Sequence, residues 1–331
     1  MKVLITGGTG FVGRPLVERG LREGWEIRLL SRQPDPFPSP LHPYLKIYPL
    51  NVTDKAGLEA MARQEKAFDA VIHLAALVDY FGETEALRQT NVEGTRHMLH
   101  IAAQTGARKF IYASSIEAVG SVRRGRVPAR AKTPCRPISA YGQSKVEAEK
   151  LVLALSGRFP AVILRIGNVY GPGHSNFIIE MAQALLARSG LLEFLPVYGD
   201  RVVQPAFSED VTEGIMAALR CETTAVVTLA GEYATVRELF EMCGDVVHRR
   251  VPRKPRLWRD VFFLTLRCAY HRSIHQLDSI TYLMASPWWR RHRACSLDSA
   301  KTLLGWEPQT PLKKGIAETL VWAKQSGRLS F

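Results

Sequence analysis

Cysteine is scarce and scattered in this chain. Its five cysteines, Cys135, Cys221, Cys243, Cys268 and Cys295, never come closer than 22 positions and form no C-x-x-C pair. An odd, widely spaced set excludes a disulfide framework and a cysteine-paired zinc site, so reduced thiols and no bound metal are expected. No apolar run approaches the ~18 residues that a membrane span needs. The opening Met1-Lys2-Val3-Leu4-Ile5-Thr6 meets a glycine turn before any stretch of signal length, so no signal peptide and a cytoplasmic location are expected. Internal repeats are lacking, and the only low-complexity tract is the alternation Pro34, Pro36, Pro38, Pro40. What remains is ordinary: 46% hydrophobic and 23% charged residues over 331 positions describe a globular chain with room for two lobes.

Charge is the exception. The net charge is +13. Between Asp245 and Cys295 stand eleven Arg or Lys against three Asp, so much of the surplus is local. Such a stretch predicts either an anionic partner, with peripheral membrane contact through 249–293, or a solvated basic face. Nucleic acid is not expected, because no recognition motif accompanies the charge. A second cluster, Arg123, Arg124, Arg126, Arg130 and Lys132, falls in a long loop and reads as a substrate-facing lid or a solvated loop.

The first half alternates short β-branched runs with helical stretches. Val3–Thr6, Glu26–Ser31, Leu45–Leu50, Ala70–His73, Lys109–Ser114 and Ala161–Ile166 read as buried parallel strands. Phe11–Glu23, Lys55–Gln64, Glu83–Gln104 and Ala140–Ser156 read as the helices between them. Regular strand–helix alternation predicts a Rossmann-type, doubly wound α/β sheet. Beyond Ile166 the rhythm loosens into helices at Phe177–Arg188, Glu209–Leu219, Thr235–Val247, Ser296–Leu303 and Leu312–Lys324, with a strand at Val226–Ala230. This predicts a nucleotide-binding domain over 1–170, to which 207–230 returns, and a smaller region, mainly a substrate lobe, over 171–331.

Thr6-Gly7-Gly8-Thr9-Gly10-Phe11-Val12-Gly13 joins the first strand to the first helix. Gly7, Gly10 and Gly13 allow positive φ and close approach of backbone to a pyrophosphate, which the helix N-terminus attracts. Phe11 and Val12 complete the turn. At the end of the second strand, where an acid would accept from the ribose 2′-OH of NAD, the chain has Ser31-Arg32. An arginine and no acid favour NADP over NAD.

Tyr141-Gly142-Gln143-Ser144-Lys145 opens a helix, and spacing of four puts phenol and ammonium on one face. A neighbouring ammonium is expected to lower the tyrosine pKa and make it a better base. Ser115, at the end of a strand, is placed to donate to a carbonyl oxygen as it gains charge. Ser114 is the alternative, since a shift of one residue reverses the face.

Together the glycine turn, Ser115, Tyr141 and Lys145 resemble the short-chain dehydrogenase/reductase superfamily, and the length and C-terminal lobe resemble its extended branch. The resemblance implies Tyr141 as acid/base, Lys145 holding the ribose, and Ser115 orienting the substrate oxygen. It adds Asn91 to the catalytic group, as the family's structural asparagine. It assigns Asn51 and Val52 to the adenine side, and His73-Leu74-Ala75-Ala76 to the strand under the ribose. Val78, Glu117, Asn168 and Val203 are the substrate candidates.

Within that branch, Arg165–Gly173 is similar to nucleotide-sugar enzymes, through Asn168. Val203, however, occupies the position where those enzymes carry an arginine that clamps a pyrophosphate. Phe110–Ala118 and Leu297–Pro308 resemble the 3-beta-hydroxysteroid dehydrogenase-like and dihydroflavonol reductase-like group. Ile116 beside Glu117 excludes the paired acids of a dehydratase. The aromatic stretch Leu257–Trp289 fits a core or an apolar pocket. The reading is an NADP-dependent oxidoreductase, expected as a homodimer, acting on a secondary alcohol or ketone with a bulky, largely apolar body. A nucleotide-sugar 4-epimerase and a non-catalytic, cofactor-bound structural subunit are the rivals.

Overall fold

A computed structural model describes residues 1–33, 37, 43–80, 84–122, 127–130, 133–174, 176–187, 200–251 and 292–331. Its strands are β1 (Lys2–Thr6), β2 (Glu26–Leu30), β3 (Leu45–Tyr48), β4 (Ala70–His73), β5 (Phe110–Ser115), β6 (Ala161–Ile166), β7 (Asn168–Tyr170), β8 (Val202–Val203), β9 (Pro205–Phe207), β10 (Ala225–Leu229) and β11 (Ala234–Thr235). Its helices are α1 (Gly13–Arg22), α2 (Lys55–Gln64), α3 (Thr84–Leu87), α4 (Gly94–Gln104), α5 (Ala140–Ala154), α6 (Phe177–Leu186), α7 (Ser208–Ala218), α8 (Val236–Val247), α9 (Asp298–Leu304) and α10 (Leu312–Gln325).

Seven strands form one parallel sheet in the order β10-β6-β5-β4-β1-β2-β3. This is the Rossmann-type sheet that the alternation predicts. The period-2 geometry of a strand sorts its side chains onto two faces. Val3 and Ile5 enter one core with Leu16 and Val17 of α1 and Ile215 of α7. Leu4, between them, enters another with Leu58 of α2, Met98 of α4 and Val152 of α5. Both faces are covered, which is why β4 and β5 are buried along their whole length. Each fully buried Leu, Ile or Val contributes roughly 1.5–3 kcal/mol, so these two layers carry most of the driving force.

A third core joins α6, α8 and α10 with Tyr170, Val203 and Phe207, and builds the second lobe. Ala300, Leu304 and Trp306 pack instead with Val227 and Leu229 of the sheet. The helix expected over Glu83–Gln104 is interrupted. Arg88–Glu93 forms a π-helical turn between α3 and α4, and such turns accommodate an inserted residue. The short pairings β7–β9 and β8–β11 lie where no strands were expected. Most of Pro34–Pro40, Arg123, Arg124, Arg126, Lys132 and the aromatic stretch Leu257–Trp289 lie outside the described residues.

Candidate active site

The strand order reverses between β1 and β4, and in such sheets a crevice opens beyond the carboxyl ends of those strands. Gly7 turns the chain there with φ +70°, and a Cβ on it would meet the Ala75 nitrogen at 2.6 Å. Its carbonyl accepts from Gly10 N at 3.0 Å, which fixes the turn. At the head of α1 no side chain caps the helix and no acid occupies the first turn. The exposed amides and the helix dipole therefore favour an anion.

A cavity of about 440 Å³ runs from this turn across the sheet. Gly7, Gly10, Phe11, Val12 and Gly13 line one end, with Leu74 and Ala76 beside them. Ser115, Tyr141 and Lys145 line it further along, together with Val78 and Asn168. The cofactor turn, the three catalytic candidates and two substrate candidates thus share one space.

The local sequence explains how the three polar groups meet. Ser139 caps α5 by accepting from Gly142 N at 3.1 Å, which starts the helix one residue before Tyr141. The Tyr141 phenol and the Ser115 hydroxyl lie close enough for the serine to act on the phenol, opposing the effect of its burial. Ser115 Oγ also accepts from Glu117 N at 3.2 Å. Ser114 also lines the cavity, but its hydroxyl is engaged: it donates to Glu149 Oε1 at 2.5 Å, where Arg165 also binds the carboxylate through Nε and Nη2. Of the two serines, Ser115 is thus the one whose hydroxyl is not committed to Glu149.

Lys145 behaves differently from expectation. Its Nζ donates to Ala113 O at 2.8 Å and stands 5.8 Å from the Tyr141 ring centroid. Burial pulls the ammonium down to about 7, with the Glu149 charge opposing. Burial likewise pushes the Tyr141 phenol up to about 12, with the Ser115 hydroxyl opposing. The expected lowering of Tyr141 by Lys145 is not seen, because desolvation outweighs an ammonium held by a carbonyl.

Asn91 sits on the π-helical turn, buried outside the cavity lining. It exchanges two backbone hydrogen bonds with Leu77, at 2.8 and 2.9 Å, and donates to Ser144 Oγ at 2.9 Å. Ser144 in turn donates to the Tyr141 carbonyl at 2.7 Å. Asn91 therefore positions α5 and the loop after β4 and does not touch the reacting space. His73 lies under the site, with Nδ1 2.7 Å from Thr6 Oγ1 and Nε2 3.1 Å from Thr95 Oγ1. Burial, then the charge of Lys145, pulls it down to about 3, so it stays neutral at neutral pH.

Several candidates lie elsewhere. Ser31 is buried and Arg32 exposed at the end of β2, both outside the cavity lining. Asn51 accepts from Thr53 N at 3.3 Å, and Val52 packs near Gly94. Glu117 is fully buried and ion-paired with Arg293, so it faces no substrate. Val203 is fully buried in the second-lobe core, so its apolarity serves packing, and it does not line the cavity. Arg293 also corrects the charge reading. It is one of the eleven basic residues of the C-terminal stretch, yet it is only 1% exposed. Tyr80, Phe177 and Glu180 line the cavity without having been singled out. Glu180 left a signal, as the single acid in the apolar helix Phe177–Leu186.

Residues 3–231 match the model of the NAD dependent epimerase/dehydratase family. The chain belongs to that family. It is thereby an enzyme-family member of the extended short-chain dehydrogenase/reductase type. Over 196 residues it is 33% identical to a 3-beta-hydroxysteroid dehydrogenase of Mycolicibacterium neoaurum, covering 56% of this chain and 52% of that one. The chain thus spans about half the length of that steroid dehydrogenase. It is 26% identical to a dTDP-L-rhamnose 4-epimerase of Burkholderia thailandensis, over 98% of this chain and 95% of that one. The structure of the enzyme WbmG from Bordetella bronchiseptica in complex with NAD and UDP superposes with a TM-score of 0.76. That match has 22% identity and covers 98% of this chain and 96% of that one. At that identity the likeness shows the fold. The glycine turn, with no room for a Cβ at Gly7, fits the dinucleotide that the family's description names.

Proposed function

We propose that this family member is an NADP-dependent oxidoreductase interconverting a secondary alcohol and a ketone on a bulky, largely apolar substrate. The observation that carries the reading is the shared cavity. Beyond Tyr141 and Ser115 its wall is made by Val78, Tyr80, Val169 and Phe177. Among the described lining residues the charged groups are Lys145 and Glu180, with no arginine to neutralise a diphosphate.

Gly7, Gly10 and Gly13 hold the pyrophosphate against the head of α1, and Lys145 holds the ribose. Arg32, with no acid at Ser31 or Gln33, pairs with a 2′-phosphate. When bound, the dinucleotide gives or takes hydride at its nicotinamide ring. Tyr141 stays protonated at neutral pH, as its raised pKa requires, and gives that proton to the ketone oxygen. Ser115 donates to the same oxygen and orients it. A steroid-, flavonoid- or ketoacyl-like body fills the apolar wall. The protein works as a cytoplasmic homodimer, and the exposed Arg249 and Arg250 begin a basic stretch suited to a membrane surface.

Two observations favour the sugar-nucleotide epimerase: Asn168 lines the cavity, and the rhamnose epimerase is matched along nearly the whole chain. Native mass spectrometry of the purified protein tests the cofactor reading. Bound NADP(H) is expected. Retained NAD(H) that survives turnover without net exchange would support the epimerase.

A further inference from the structure

The cavity contains one carboxyl that the proposed chemistry does not use. Glu180 stands in the first turn of α6, in a helix whose other early side chains, Phe177, Ile178, Ile179 and Met181, belong to the second-lobe core. It lines the same cavity as Ser115 and Tyr141. Among the described residues its carboxyl has neither a hydrogen-bond partner nor an ion-pair partner. The other ionisable groups lining the cavity are Tyr80, Tyr141 and Lys145. Loss of water pushes the Glu180 carboxyl up to about 7, with no compensating partner to pull it back. A polar group at a half-buried position costs stability until something bonds to it. An apolar residue would serve the packing of α6 better, so the carboxyl answers to what enters the cavity.

We propose that Glu180 is a specificity-determining residue that accepts a hydrogen bond from a hydroxyl or amine on the substrate, away from the carbon that reacts at Tyr141. The assignment rests on the oxidoreductase reading for the kind of molecule that occupies the cavity. It narrows that kind to an apolar body bearing a second, donor-bearing group. When ionised, the same carboxylate disfavours a substrate that would place an anionic group directly against it.

The test uses NADPH-loaded protein and two fused-ring ketones that differ only in a distal hydroxyl, 5α-androstan-3-one and 17β-hydroxy-5α-androstan-3-one. Equilibrium dialysis with NADP+ in place of NADPH gives the dissociation constant of each, and NADPH consumption gives turnover. Measured at pH 8.5, above the value of about 7 for Glu180, a hydrogen bond to a charged acceptor predicts about 10-fold or greater preference for the hydroxylated ketone in the wild type. Glu180→Leu should bring the ratio close to one, and Glu180→Gln, which keeps size and an acceptor, should retain part of it. The isosteric variant keeps the test readable if the leucine variant does not fold. An unchanged ratio in the variants, or no preference in the wild type, overturns the assignment. If the ketones bind with the predicted ratio but neither is reduced, the oxidoreductase reading fails while the role of Glu180 stands.

Discussion

Lys145 donates a 2.8 Å hydrogen bond to the carbonyl of Ala113, two residues before Ser115. That bond joins α5 to β5, the two elements carrying the acid/base and the orienting hydroxyl. It also holds a buried ammonium over the Tyr112 ring, 5.0 Å from its centroid. Burial disfavours the charge, and this gives a pH signature. Below pH 7 the folded, cofactor-free protein must keep Lys145 charged in the interior. Between about 7 and the unfolded value near ~10.4 the unfolded chain binds the extra proton, so the destabilisation fades as pH rises. Lys145→Met should therefore help thermal stability more at pH 6.5 than at pH 9.5. An effect of equal size at both pH values contradicts the buried charge.

Tyr141→Phe removes the transferable proton while leaving the ring in place. Turnover of a substrate should fall by ~10²-fold or more, the scale of general acid–base catalysis. Steady-state kinetics at neutral pH checks this. Near wild-type turnover would move the acid/base role to another group.

Glu117 and Arg293 tie the catalytic strand end to the C-terminal segment. Replacing Arg293 by leucine leaves an uncompensated buried carboxylate, which should cost ~3–5 kcal/mol in urea unfolding. Replacing both, Glu117→Leu with Arg293→Leu, should recover a large part of that loss. A double variant less stable than the single one would show that the pair contributes more than mutual compensation.

Arg32→Ala should weaken NADP(H) much more than NAD(H), by about 10- to 150-fold for one lost charge-assisted contact. Titration calorimetry with both cofactors reads the difference. Equal weakening would assign Arg32 to the surface and leave the cofactor choice to other residues.

Much of this site is legible before any coordinates exist. Gly7 follows a five-residue strand and precedes a helix, and that local order forces the turn. Tyr141 and Lys145 are four apart on one helix, so their shared face follows from helical geometry. Ser115 needed the structure, because both serines at the end of β5 line the cavity and only the contact of Ser114 with Glu149 tells them apart. Val203 and Glu117 misled for one reason. Position along the chain gives neighbours in sequence, whereas burial depends on which core a two-residue strand or a short turn packs against. Arg293 is the same lesson in charge: composition places it in a basic stretch, and the fold buries it against Glu117. The electrostatics of Lys145 were equally invisible, since spacing gives proximity but not the loss of water that sets its pKa.

The central claim is net hydride transfer to an apolar ketone. The most direct measurement gives purified protein and NADPH a panel of steroid ketones, dihydroflavonols, long-chain β-ketoacyl compounds and UDP-hexoses, following cofactor absorbance and epimer formation together. The account predicts stoichiometric NADPH consumption with a member of the apolar set and none with the UDP-hexoses. Conversion of a UDP-hexose to its epimer without net cofactor change, and no response to the apolar set, would contradict it.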